Sequence, residues 1–341
     1  MGFYSSVRDF PNGMPEEILL RLCNQRYIDK GVAPKRYGIS EMYSQGRVIR
    51  EYSGFPEWLP LCVNMDHGAG DYSHVLKSEI EMDSYAYLAF SRHKRDVFRR
   101  CSDKPCYQIP HPFTLYRRIN DVRVDEKAYG TISFPAHSSS DIKCNFDVNA
   151  YIGVLKTLPV DMQPVSVCLF SLDVLSGMHI PFIEAGIPVY TAGNISDIRF
   201  VDRYYDILHR FKYATSNCSG SYVYYSVEMG IPFSIVGEPV AYFNEGNIDW
   251  KMGDFDLPET FSKDTECFNG IHREITECQK RVVQDCFDCS EALSGDELRS
   301  LLYKALRAKR FAIGDSIKGL RRIVRKKIIS HGKTSGGIWD V

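Results

Sequence analysis

The stretch that decides the fold is TSNCSGSYVYYSVEMGIPFSIVGEP, Thr215 to Pro239. Small polar residues run straight into an aromatic-rich segment with helical spacing. That segment closes at Gly230-Ile231-Pro232 and gives way to a short apolar run, Phe233 to Val236. A polar loop, a helix, a glycine stop and a buried strand in that order make one turn of a parallel α/β sheet. Asn217 to Ser221 also leave the N–H groups of the first helical turn unshielded, the arrangement by which proteins hold phosphates and other anions.

The same grammar extends upstream. GTISF, VSVCLF, IPVY and YAT read as strands, and VNAYIGVLKTL, MHIPFIEAG and RFVDRYYDILHRF read as the helices between them. Nearer the N-terminus, 15–30 has helical spacing and Leu59 to Val63 reads as a short buried strand. Ala86 to Arg100 reads as a strand passing into a helix, and Cys106 to Phe113 as a strand ending at a Pro-bounded loop. Short apolar strands separated by helices indicate parallel sheets built from βαβ units. A chain of 341 residues exceeds one typical core. The expected fold is therefore α/β, with two Rossmann-like domains facing a central cleft and a helical C-terminal segment. Division is expected at the polar stretch Asp121 to Gly130, giving domains over 1–125 and 126–290 and C-terminal helices over 291–341.

Composition narrows the function classes. With 44% hydrophobic and 25% charged residues the chain reads as an ordinary globular protein. Its formal charge of −1 argues against a surface built to grip nucleic acid, so no nucleic-acid partner is expected. No apolar run approaches the ~18 residues of a membrane span, and a cytoplasmic location is expected. Eleven scattered cysteines, an odd number, point to reduced thiols. Cys286 and Cys289, with Cys278 upstream, lack the remaining ligands of a zinc site and read as cysteines near a core face.

Charge is unevenly placed. Residues 307–329 hold nine Lys or Arg against one Asp, and Ile313, Ile317, Leu320, Val324 and Ile328 trace one helical stripe. Two readings stay open: a basic amphipathic helix lying on anionic headgroups at the inner face of the plasma membrane, or a solvated basic face on a packed helix.

Ligands of an open parallel sheet bind outside the carboxyl ends of its strands, so the loops after strands carry the candidate chemistry. In the second half these loops supply His137, Ser138 and Ser139, then Asn194, then Ser216, Asn217, Ser219, Gly220 and Ser221, then Glu238. An imidazole and several hydroxyls can donate hydrogen bonds to phosphoryl oxygens without a metal. Three small residues at 219–221 exceed what helix capping needs and suggest an anion cradle. In the first half Asp66 and His67 leave a strand end toward the same cleft, where either could accept a proton from an attacking hydroxyl; an Asx-turn with a surface His is the plainer reading. His111, between two prolines, reads as structural. No GxxxxGK[ST] or GxGxxG stands in these loops, so ATPase and dehydrogenase chemistry falls back. No cofactor is expected, and metal-independent chemistry is.

FPAHSSSDI, YTAGNISD and TSNCSGSYVYYSVEMGIPFSIVGEPVAYF together resemble the GT-B superfamily of glycosyltransferases, and within it the transferases of bacterial O-antigen and capsule gene clusters. The resemblance covers Leu59 to Asn244 in architecture and is most specific from Gly130 onward. It implies a C-terminal domain that binds a nucleotide-sugar donor and N-terminal loops that hold a glycan or lipid-linked glycan acceptor, in lipopolysaccharide or capsule synthesis. One position departs from the family pattern. Many members that use UDP- or GDP-sugars carry a ribose-binding Glu where this chain has Tyr225, and Glu228 lies three residues out of register. That departure counts against a UDP- or GDP-sugar, and a His-containing loop paired with a Ser-rich loop is similar to what CMP-sugar transferases use around the cytidylate phosphate, so a CMP-sugar is an option. A nucleotide-sugar epimerase or hydrolase of the same architecture, and a non-catalytic glycan- or nucleotide-binding protein, remain alternatives.

Overall fold

The computed structural model describes residues 7–70, 75–247, 249, 252–255, 266–309 and 312–331. Helix α1, Glu16–Cys23, is followed by a 3-10 segment at Ile39–Ser44 and by α2, Gln45–Ser53. The first sheet then forms from β1 (Asn64–Met65), β2 (Tyr87–Ala89) and β3 (Cys106–Gln108), all parallel in the order β1-β2-β3. Its crossovers carry α3, Lys77–Glu81, and α4, Arg92–Cys101. Each strand is buried along almost its whole length, as a sheet covered on both faces requires. The predicted strand at Leu59 to Val63 is buried, but the ladder begins one residue later.

After β3 the chain enters α5, Pro112–Ile119, where a Pro-bounded loop was expected. Pro112 occupies the first helical turn, where its missing N–H costs nothing, and His111 Nδ1 accepts from Phe113 N at 3.1 Å as the cap. The other His111 nitrogen lies 3.1 Å from Tyr225 Oη, and burial lowers the imidazole to about 3. His111 is a neutral structural group.

The second sheet has five parallel strands: β4 (Thr131–Ser133), β6 (Val165–Cys168), β7 (Val189–Tyr190), β8 (Tyr213–Ser216) and β9 (Phe233–Ile235). Their spatial order is β7-β6-β4-β8-β9. Numbered within the sheet this is 3-2-1-4-5, the doubly wound order, with its switch point between β4 and β8. Between the strands run α6 (Val148–Lys156), α7 (Ser171–Leu175), α8 (His179–Glu184), α9 (Phe200–Leu208) and α10 (Ser221–Glu228). A small antiparallel sheet, β11-β10-β5, joins β5 (Ile142–Asn145) to β10 (Ala241–Asn244) and β11 (Gly253–Phe255) beside the switch point. These strands escape the sequence reading because β5 and β10 are mostly half-buried or exposed and offer no apolar run.

The C-terminal helices are α11 (Glu277–Cys286), α12 (Gly295–Ala308) and α13 (Ala312–His331). Packing crosses the sequence division at both ends. Near the N-terminus, Met14 N donates to Val189 O and Asn194 N to Leu22 O, seating α1 on the second domain. Near the C-terminus, Tyr52 Oη donates to Leu293 O at 3.1 Å and Tyr303 meets Phe55 edge-on at 5.0 Å, seating α12 on the first. One contiguous apolar core runs through both domains. Cys267 and Cys278 are joined as a disulfide, an exception to the expectation of reduced thiols, while the remaining nine cysteines are not in disulfides.

Candidate functional site

A cavity of about 300 Å³, at the lower end of small-molecule sites, opens where the two domains meet at the switch point of the second sheet. Its floor is aromatic. Tyr225 stacks on Phe113 at 4.4 Å and Tyr222 on Phe134 at 5.2 Å, joining α10 to α5 and to the end of β4. Tyr43 enters the wall from the 3-10 segment with φ 55°, and Ser44 follows at φ 65°. Side-chain-bearing residues rarely adopt this left-handed conformation, and surrounding bonds hold it. Tyr43 N donates to Ile195 O at 2.7 Å, and Ser44 Oγ accepts from Val201 N at 3.2 Å.

Two imidazoles reach the cavity, one from each domain. His67 follows β1 and packs edge-on to Tyr43 at 5.9 Å, while His137 follows β4 and stacks on Phe170 at 4.4 Å. Both rings are exposed to solvent, yet both sit in the concave wall of the cavity, where protein replaces part of the bulk water. Desolvation therefore holds each below the ordinary imidazole value, and charge on His137 lowers His67 further. His137 Nδ1 lies 3.3 Å from Ser138 O. A carbonyl only accepts, so Nδ1 carries the proton and Nε2 of the neutral ring is left with a lone pair.

The N-terminus of α10 lines the same cavity. Gly220 precedes it without a side-chain cap, and a Cβ there would lie 2.7 Å from the Tyr222 ring, so only glycine fits. Val223 N donates back to Gly220 O at 3.0 Å, which leaves the N–H groups of Ser221 and Tyr222 and the positive end of the helix dipole for a ligand. Ser219 lines the wall beside them, and among the described residues its hydroxyl has no protein partner.

The other predicted candidates lie elsewhere or are engaged. Asp66 is buried behind the wall; its Oδ1 accepts from His67 N at 2.8 Å and its Oδ2 from Phe90 N at 3.4 Å. Desolvation, partly offset by Lys94, pushes its carboxyl above the usual range. Ser221 lines the cavity, but its Oγ accepts from Ala69 N and donates to Ala69 O, each at 3.0 Å, clamping the two domains together. Ser138 Oγ accepts from Cys144 N at 3.1 Å and Ser139 Oγ from Ile142 N at 3.0 Å, which folds the loop back into β5. Ser216 Oγ donates to Phe134 O at 2.6 Å, and Asn217 Oδ1 accepts from Ala136 N at 2.8 Å, tying the two switch-point loops to each other. Asn194 Nδ2 donates to Cys23 O at 3.0 Å, and Glu238 is exposed away from the wall.

Two side chains that the sequence reading passed over also shape the site. Tyr242, from β10, reaches the wall and shares a hydrogen bond with Cys218. Asp173, in the first turn of α7, accepts from Ser138 N at 3.4 Å, and burial raises its carboxyl to about 7. Asp173 had a sequence signal, an acidic residue in the loop after a strand. Tyr242 had none. At the far end of α10, Glu228 takes a bidentate bond from Arg117 at 2.6 and 2.8 Å and is not free to face a ligand.

Among the described residues no His, Cys, Asp or Glu cluster could hold a metal ion, and no helix is long and apolar enough to cross a membrane. No protein-family model and no curated protein matches the chain. Three solved structures of the wall teichoic acid polymerase TagF are similar to it, one of them a variant soaked with CDPG. Identities are 10%, 11% and 12%, with TM-scores of 0.38, 0.41 and 0.35. They cover 74%, 74% and 81% of this chain and 68%, 70% and 70% of their own.

Proposed function

We propose that the protein is a glycosyltransferase of GT-B type that moves a sugar from a nucleotide-activated donor to the hydroxyl of a glycan or lipid-linked glycan in cell-surface polymer synthesis. One observation carries this reading: two imidazoles from different domains share a single cavity with an uncapped helix N-terminus.

The donor's phosphate lies at the N-terminus of α10, within reach of Ser219 and His137. As the bond between the anomeric carbon and the phosphate oxygen breaks, its electron pair passes to the phosphate. The first-turn N–H groups stabilise the charge that develops. On donor binding His137 takes a proton from solvent at Nε2, since its Nδ1–H is held by Ser138 O, and the Nε2–H then donates to a phosphate oxygen. The acceptor hydroxyl forms the new bond to carbon, and its proton passes to His67, kept neutral by desolvation and so able to act as a base near neutral pH. Asp66 holds the His67 backbone and does not touch substrate. With Tyr225 in the aromatic floor and Glu228 held by Arg117, neither of these two positions offers a carboxylate to a donor ribose, which favours a CMP-sugar over UDP- or GDP-sugars.

An acceptor-dependent transfer assay tests the reading. His67→Ala should lower transfer by about 10²- to 10⁴-fold with folding intact. Free nucleotide released at full rate without acceptor would instead indicate an epimerase or hydrolase. Donor binding without turnover would indicate a binding protein.

A further inference from the structure

Among the described residues, helix α13 meets the first domain through Gly319 and Arg322. Gly319 is buried, and a Cβ there would come within 2.2 Å of Trp58 O; Arg322 Nη1 donates to Ala33 O at 3.1 Å. Ile317, Leu320 and Val324 gather on a stripe roughly 130° around the axis from Gly319, at 100° per residue. They are 50%, 50% and 51% exposed, so the apolar stripe of this helix faces away from the protein. Ile313 and Ile328, the remaining members of the sequence stripe, have side chains outside the described residues. Arg321 and Arg325 border the stripe along one edge and are exposed.

Charge is segregated onto the same segment. Residues 307–329 carry nine basic and one acidic side chain, a net of +8, in a chain whose total is −1, so the remainder carries −9. A body of that sign turns this one basic face toward an anionic surface and keeps its other faces off it.

We infer that α13 is a membrane-docking helix that lies in the headgroup layer of an anionic phospholipid bilayer, with Ile317, Leu320 and Val324 among the acyl chains and Arg321 and Arg325 on the phosphates. The apolar stripe with cations along its edge is what separates this occupant from the others. A polynucleotide would engage the arginines and leave three aliphatic side chains in water. A second copy of the chain would need roughly 800 Å² of buried surface per partner, well beyond three half-exposed side chains. A bilayer accepts both chemistries at once, and apolar burial adds to about tenfold or less per basic residue from surface charge. The inference does not depend on the proposed transfer reaction.

Flotation of the full chain with vesicles tests it. The wild type should float with phosphatidylcholine vesicles containing about one phosphatidylglycerol in three, and not with pure phosphatidylcholine. Leu320→Ser/Val324→Ser and Arg321→Glu/Arg325→Glu should each weaken partitioning by about tenfold or more, with unchanged circular dichroism because the altered side chains are exposed. Equal flotation of wild type and both variants would overturn the proposal, as would failure of the wild type to float. Loss in the arginine variant alone, with an oligonucleotide competing for the wild type, would reassign the face to a polyanion. A change of sedimentation coefficient in the serine variant, with vesicle binding intact, would reassign it to self-association.

Discussion

The two strand-end loops that meet at the cavity deliver the same side chain, an imidazole, on supports of opposite chemistry. In the first domain the support is ionic. Lys94 Nζ donates to Glu79 Oε2 at 2.9 Å and Tyr87 Oη to Glu79 Oε1 at 2.6 Å, with Asp66 close enough to sense both charges, and all four are buried. In the second domain the support is neutral: hydroxyls and amides at Ser138, Ser139, Ser216 and Asn217, and an Asp173 carboxyl raised to about 7. Buried charges resist the loss of a partner strongly, and neutral hydrogen bonds less so. The two loops should therefore answer mutation and pH differently.

The largest effect is expected where the ionic support is broken. Lys94→Met leaves Glu79 and Asp66 buried without their cation and should cost about 3–5 kcal/mol in urea unfolding. A cost below about 1 kcal/mol would mean that the charges are not what holds the first loop. On the neutral side, Ser216→Ala strands Phe134 O and Cys218 N and should cost about 1–3 kcal/mol, with little dependence on pH between 5 and 8.

Asp173 gives the smallest and most diagnostic effect. Its folded value is raised from 3.8 to about 7, so the folded chain holds this proton more tightly than the unfolded one. The associated stability is fully present below 3.8 and is lost as pH climbs to about 7. Asp173→Asn keeps an acceptor for Ser138 N without the titration. It should therefore stabilise the protein more at pH 8 than at pH 5, by on the order of 1–2 kcal/mol in the difference. An equal effect at both values would remove Asp173 from the neutral support.

These contrasts explain what the sequence could show. Strand and helix order was legible because fully buried strands such as Val165–Cys168 and glycine stops such as Gly230 carry strong local signals. The strands Ile142–Asn145 and Ala241–Asn244 carried none, since neither presents a continuous buried face. Within the site, the imidazoles and the helix start at Gly220 were visible as residue types at strand ends. The roles of the serines were not, because a hydroxyl that binds a ligand and one that closes a turn look the same in sequence. Ser219 and Ser139 differ only in what the fold brings beside them. The aromatic wall was invisible for a related reason: Tyr43, Phe170 and Tyr242 come from distant segments.

The central claim is that the cavity holds the anionic end of an activated sugar between the α10 N-terminus and His137. Thermal shift with CMP-, UDP- and GDP-sugars at pH 6 and pH 8 tests it most directly, since a ligand bound only by the folded state raises the melting temperature. The account predicts that one donor stabilises the wild type more at pH 6 than at pH 8, because His137 must be protonated to donate from Nε2. In His137→Gln, which donates without titrating, the difference between the two pH values should vanish. No stabilisation by any donor, or a shift that ignores both pH and the substitution, would contradict it.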